Sequence, residues 1–180
     1  NMGVIGWGFM GKTHTQALLS LPFYYPNMNF SVNLKCICTR REEKAREAME
    51  MAGFERCCTD YRELIAMDDI DVVAICTPNV DHEEMAVAAL KAGKHVYIDK
   101  PLAVTYESAA RIAEAAKDAP GKTHMVFNNR YTPAVLRAKE LIDELFLRIG
   151  ALLRRAKIAS SRKLEIGQFC MDMDEHIAAL

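Results

Sequence analysis

Short apolar runs alternate along this chain with longer segments whose apolar positions recur every three or four residues. That alternation predicts βαβ units around a parallel sheet, because parallel neighbours need a crossover, usually a helix, between them. "MGVI" is the first strand, followed by a helix over residues 11–21 and a loop carrying Pro22 and Pro26. "LKCIC" (34–38) is the second strand. Over 41–52, Ala45, Ala48, Met49 and Ala52 fall at i, i+3, i+4 and i+7, a helical stripe that Gly53 stops.

"DVVAIC" (71–76) is almost continuously apolar, as a strand covered on both faces should be. Asp81 is positioned to cap a helix running to Ala92, and "HVYI" (95–98) is the next strand. Thr105 caps a helix whose stripe is Ala109, Ile112, Ala113 and Ala116. "MVF" (125–127) predicts a further strand, and Thr132-Pro133 marks a helix start with Leu136, Leu141 and Leu145 on it. Beyond Leu145 the turn signals are poor, and residues 148–169 predict one or two strands.

This order gives meaning to "VIGWGFMGKTH" (Val4 to His14), whose glycine spacing alone fits either a phosphate cradle or an ordinary turn. Here the glycines follow a strand and open a helix, the context of a dinucleotide-binding loop. Gly6 makes the tight turn, Gly8 lets a pyrophosphate approach the backbone, and Gly11 lets helix and strand pack closely. The helix N-terminus adds unpaired N–H donors and roughly half a positive charge. An acidic residue at the end of the second strand would bind the adenosine ribose of NAD, but "CTRR" stands there. Thr39, Arg40 and Arg41 suit a 2′-phosphate, so NADP is favoured over NAD; the other reading is solvated arginines at a helix start.

With 180 residues, 51% of them hydrophobic, the chain is long enough for one well-buried domain and the start of a second. A formal net charge of −1 gives no footprint for a polyanion, so nucleic acid is not an expected partner. No apolar run of bilayer-spanning length or signal-like start is present, which points to a soluble cytoplasmic protein and no membrane partner. Six cysteines without a C-x-x-C pair read as reduced, mostly buried thiols. No ligand spacing calls for a metal.

"VIGWGFMGKTH", "DVVAICTPNVDHEEMAVAALKAGKHVYIDKPLA" and "NNRYTPAV" together resemble the glucose-fructose oxidoreductase / inositol dehydrogenase (Gfo/Idh/MocA) family over about residues 1–145. The resemblance implies an N-terminal Rossmann domain with a doubly wound parallel sheet (1–122). It also implies the start of an α/β (α+β) substrate and oligomerisation domain (123–180), expected to be truncated. It makes Gly6, Gly8 and Gly11 the phosphate loop with Trp7, Phe9 and Met10 between them. Thr77, Pro78 and Asn79 would line the nicotinamide side, with His82 just beyond.

The family's E-K-P motif stands here as Asp99, Lys100 and Pro101. Asp99 keeps the charge of the usual glutamate with a shorter reach. Lys100 would bind the substrate's hydroxyl oxygen and stabilise the alkoxide that develops as hydride leaves. "DMDEHIAAL" is similar to the motif D-x-G-x-H-x-x-D, but Asp174 replaces its glycine and Ala179 its last aspartate. The aligned Asp172 and His176, four apart on a helix, would share one face, with His176 as general base and Asp172 positioning substrate or ring.

The expected function is an NAD(P)-dependent dehydrogenase acting on a secondary hydroxyl or ketone of a sugar, inositol or related polyol. A homo-oligomer is expected if the second domain is complete. Two alternatives stay open: a dinucleotide-binding protein without catalytic competence, such as a redox sensor or relic, and a family member with a non-sugar substrate.

Overall fold

A computed structural model describes the backbone of residues 1–155, 163–166, 169–172 and 177–179, and the side chains of 1–155. The chain divides into two compact units, Asn1–Phe127 and Asn128–Leu180.

The first unit is built on six strands: β1 (Met2–Ile5), β2 (Leu34–Cys38), β3 (Arg56–Cys58), β4 (Val72–Ile75), β5 (His95–Ile98) and β6 (Thr123–Met125). All pairings are parallel and the spatial order is β3-β2-β1-β4-β5-β6. The chain therefore winds outward from β1 in one direction, returns, and winds outward in the other from β4. Ligands of such open sheets bind where the order reverses, at the carboxyl ends of the two central strands.

Five helices connect these strands: α1 (Phe9–Tyr24), α2 (Glu42–Ala52), α3 (Tyr61–Ile65), α4 (His82–Lys91) and α5 (Tyr106–Lys117). Successive strand residues point to opposite faces, and each face has its own core. Ile5, Val73, Ile75, Val96 and Ile98 pack with Leu64, Leu90 and Ile112 of α3, α4 and α5. Val4, Ile37 and Ala74 pack on the other face with Ala48 of α2, Phe54 and Leu18 of α1. Burial on both faces explains the near-absence of polar residues in "DVVAIC".

The expected strands 2–5, 34–38 and 95–98 stand where the sequence puts them. Thr105 caps α5 as expected, its hydroxyl oxygen accepting the Ser108 amide at 3.2 Å. Asp81 does not cap α4: it closes a 3-10 turn over Asn79–Asp81 and its side chain takes no amide. Helix α1 extends past its expected limits at both ends and carries Pro22 inside it. The strand expected over 125–127 lies two residues earlier, where it pairs with β5 and takes residues 123–127 into the first unit. β3 and α3, three and five residues long, are too short to show a period and have no sequence forecast.

The second unit holds a 3-10 turn (Asn128–Tyr131), α6 (Pro133–Arg155) and three short antiparallel strands, β7 (Lys163–Ile166), β8 (Phe169–Asp172) and β9 (Ile177–Ala179). Pro133 starts α6 as expected, but residues 148–155 are helical rather than extended. Ile142, Phe146, Ile149 and Leu153 keep the helical period through this stretch, and the i,i+4 pair Glu144–Arg148 supports it. Asp172 ends a strand, with Ile177 opposite it, so the expected helical face shared with His176 is not formed at Asp172. Local strand pairing satisfies the backbone where a helix of that length would lack a stable nucleus. His176 lies outside the described residues.

Ile37 is fully buried in a central region of the sheet. Ile37→Ala is expected to lower the unfolding free energy by about 2–5 kcal/mol, against about 1 kcal/mol for removing the α5 cap with Thr105→Ala. Urea titration of both variants measures the difference.

Candidate functional site

At the switch point the carboxyl ends of β1, β2, β3 and β4 open onto a cleft of about 660 Å³. Gly6, Trp7 and Gly8 line it after β1, Cys38 to Arg41 and Lys44 after β2, Thr59 and Tyr61 after β3, and Cys76, Thr77 and Pro78 after β4. Each wall is a loop fixed at its base by a strand, which gives precise placement to groups that are otherwise exposed.

The three glycines have three different reasons to be glycine. Gly6 has φ of +100°, a left-handed conformation that a side chain strains, and an added Cβ would lie 2.6 Å from the Cys76 carbonyl oxygen. At Gly11 an added Cβ would meet the Gly6 carbonyl oxygen at 2.1 Å, so any side chain would push α1 away from β1. Gly8 has nothing within 4 Å of that position and lines the cleft, leaving its backbone open to approach. Helix α1 begins immediately afterwards with no side-chain cap and no acidic residue in its first turn. Its first amides thus have no side-chain acceptor, and the positive end of the helix faces the place an anion would occupy.

Trp7 lies on the cleft wall with its ring edge-on to Phe54 at 6.0 Å and the Lys12 ammonium 5.8 Å from its centre. At the end of β2 the Thr39 hydroxyl donates to the Arg41 carbonyl at 2.8 Å, which folds the basic segment over the cleft. Arg40, Arg41 and Lys44 form no ion pair among the described residues, and Asp81 is the one carboxylate lining the cleft. The charge balance there is set for an anion. Lys44, Cys38, Thr59, Tyr61 and Met85 escaped the sequence reading; Lys44 alone had a signal, one helical turn past Arg40.

The loops after β4 and β5 are tied together by a buried ring. His82 is fully buried, with Nδ1 2.9 Å from the Pro101 carbonyl oxygen and Nε2 3.1 Å from that of Thr77. The ring sits behind the cleft wall and not on it, so its observed contacts are structural. Asp99 is also buried, accepting the Lys100 amide at 2.8 Å, with His14 Nε2 of α1 at 3.9 Å. Lys100 follows at the carboxyl end of β5 with its side chain exposed.

Of the expected site residues, the structure brings Gly6, Trp7, Gly8, Thr39, Arg40, Arg41, Thr77 and Pro78 together on the cleft. Phe9, 82% exposed, and Met10, Gly11, Asn79, His82, Asp99 and Lys100 do not line it. Asp172 belongs to the second unit.

Residues 1–127 match the family profile described as "Oxidoreductase family, NAD-binding Rossmann fold", of the Gfo/Idh/MocA type. A levoglucosan dehydrogenase of Pseudarthrobacter phenanthrenivorans is 46% identical over 146 residues, covering 80% of this chain and 37% of that protein. A myo-inositol 2-dehydrogenase of Thermotoga maritima is 32% identical over 142 residues, covering 79% of this chain and 40% of that one. Among solved structures, an NAD binding oxidoreductase from Klebsiella pneumoniae superimposes with a TM-score of 0.74 at 41% identity, covering 80% and 38% of the two chains. A levoglucosan dehydrogenase in complex with NADH and levoglucosan gives 0.74 at 42% identity, covering 80% and 39%. The chain thus spans about two fifths of the length of these relatives.

Burial pulls the His14 pKa below its ordinary 6.5, and the nearby Asp99 carboxylate only partly offsets this. The unfolded chain therefore binds the proton more readily, and the His14 contribution to stability is present above pH 6.5 and lost as pH falls from there toward the folded-state pKa. Urea midpoints between about pH 7.5 and pH 5.5 should fall more steeply in the native protein than in His14→Gln. Parallel slopes would show that His14 carries no such linkage.

Proposed function

The chain belongs to the Gfo/Idh/MocA oxidoreductase family, and from that premise we propose that it binds a nicotinamide dinucleotide and serves a dehydrogenase acting on a secondary hydroxyl of a sugar or polyol. The carrying observation is the open Gly8 backbone beside the uncapped start of α1, on a cleft at the sheet's switch point. Gly8 and the first amides of α1 would hold the pyrophosphate. Thr77 and Pro78 would flank the nicotinamide half. When bound, the nicotinamide ring accepts or returns a hydride.

The remaining chemistry falls to side chains. Lys100 donates a hydrogen bond to the substrate's hydroxyl oxygen and holds the alkoxide charge as the C–H bond breaks. His176 is the candidate proton acceptor that the sequence motif offers. The names of the relatives, levoglucosan and inositol dehydrogenases, support a polyol or sugar-like substrate. Lys100→Ala is expected to cut turnover across a polyol panel by about 100-fold or more while leaving dinucleotide affinity nearly unchanged. An unaltered rate would remove Lys100 from the chemistry.

The same reading favours NADP over NAD. Arg40, Arg41 and Lys44 offer guanidinium forks and an ammonium at the end of β2, and no carboxylate stands there to bind the ribose hydroxyls. One charge-assisted hydrogen bond to a 2′-phosphate contributes about 1.5–3 kcal/mol, so NADPH should bind at least about ten-fold more tightly than NADH. Titrations followed by Trp7 fluorescence measure both affinities. Arg40→Ala/Arg41→Ala should weaken NADPH and leave NADH little changed; equal affinities in the native protein would count against the preference.

A further inference from the structure

Three cysteine side chains converge where β2 meets the edge strand β3. Cys38 is paired directly opposite Cys58, and Cys36 lies one pleat earlier on the same face of β2. The Cys36 and Cys58 sulfurs are 3.8 Å apart, the Cys36 S–H directed at the Cys58 sulfur. The Cys58 S–H donates to the Asp60 carbonyl at 3.4 Å. Cys36 and Cys38 are buried, whereas Cys58 is only half-buried.

We propose that Cys58 is a hydroperoxide-oxidisable thiol that forms a disulfide with Cys36, and that closing this bridge reshapes the adenosine end of the cleft. The Cys58 thiolate attacks the peroxide: an S–O bond forms, the O–O bond breaks, and the leaving hydroxide takes a proton to become water. The Cys36 sulfur then attacks the sulfenic sulfur, forming S–S and breaking S–O, and its proton leaves with the hydroxide as a second water. The two thiols lose two electrons and the peroxide gains them.

The surroundings favour this order of events. Hydrogen bonds from Cys36 and Cys38 pull the Cys58 pKa down, helped by the Leu64 amide and opposed by burial, while the same contacts and burial push Cys36 and Cys38 up. Cys58, whose S–H rests on the Asp60 carbonyl, thus gives up its proton more readily than the two buried thiols and supplies the attacking thiolate, while Cys36 and Cys38 stay protonated donors. A disulfide needs about 2.05 Å between sulfurs, so bridging draws them together by roughly 1.8 Å. β3 has three residues and one neighbouring strand, so it is the element that yields.

Its movement reaches the cleft directly. The Cys58 carbonyl accepts the Thr39 amide at 3.2 Å, and Thr39 and Thr59 both line the cleft. The bridge itself does not depend on the proposed dinucleotide function; its effect on affinity does, and titrating the reduced protein with NADPH tests that function separately.

The experiment treats the reduced protein with hydrogen peroxide and maps cysteines by peptide mass spectrometry. A Cys36–Cys58 disulfide is expected, with a loss of two hydrogens, reversal by dithiothreitol, and at least about five-fold weaker NADPH binding while bridged. Cys36→Ser should leave Cys58 trapped as a sulfenic acid that dimedone labels, Cys58→Ser should form no bridge, and Cys57→Ser should behave as the native protein. Absence of the bridge in folded protein, pairing of Cys58 with Cys38 instead, or unchanged NADPH affinity after complete bridging would each overturn the proposal.

Discussion

The close approach of the first helix to the end of the first strand governs this structure. Where Gly11 would carry a Cβ, the Gly6 carbonyl oxygen stands 2.1 Å away, and where Gly6 would carry one, the Cys76 carbonyl oxygen stands 2.6 Å away. Two glycines therefore stack α1, the β1 turn and the end of β4 in a space that side chains would fill. Any residue with a Cβ at position 11 would displace the helix axis, and the amides of its first turn would leave the switch point with it. The cleft is a consequence of that stacking: it lies in front of the same backbone, at Gly8, where the chain is open.

Electrostatics then selects what such a cleft attracts. The helix end contributes a partial positive charge, and Arg40 and Arg41 after β2, with Lys44 of α2, add three cations against one carboxylate on the lining. Thr39 does not add to this charge; its hydroxyl is spent on the Arg41 carbonyl, and its effect is to hold the arginines over the cleft. A guanidinium held by a turn loses less freedom on meeting a phosphate than one on a free chain.

The sheet was legible in the sequence because burial on both faces leaves continuous apolar runs, and Gly6, Gly8, Thr39 and Arg40 were legible because they follow those runs directly, whereas Thr77 and Pro78 came from the family resemblance. β3 and α3 were not, since three and five residues carry no period and owe their form to pairing with β2 and to the Asp60 cap. Thr59 and Tyr61 reach the cleft through those tertiary contacts, so local patterning says nothing of them. Asp172 misled for the opposite reason. Its four-residue spacing from His176 fits a helical face, yet FCMD is short enough to pair on both sides as a strand.

His82 shows how motif and role can part. The motif sets it beside the cofactor, but its ring is buried behind the wall, against the carbonyls of Thr77 and Pro101. Those two carbonyls belong to the loops after β4 and β5, one lining the cleft and the other following Lys100. A buried polar ring keeps its place only while its partners keep theirs, because an unsatisfied group there costs about 1–3 kcal/mol. The exposed Lys100 side chain retains its rotamer freedom until something binds it. Its backbone does not share that freedom: Asp99 holds the Lys100 amide on one side and His82 holds the Pro101 carbonyl on the other. Two buried groups thus flank the backbone from which the lysine reaches.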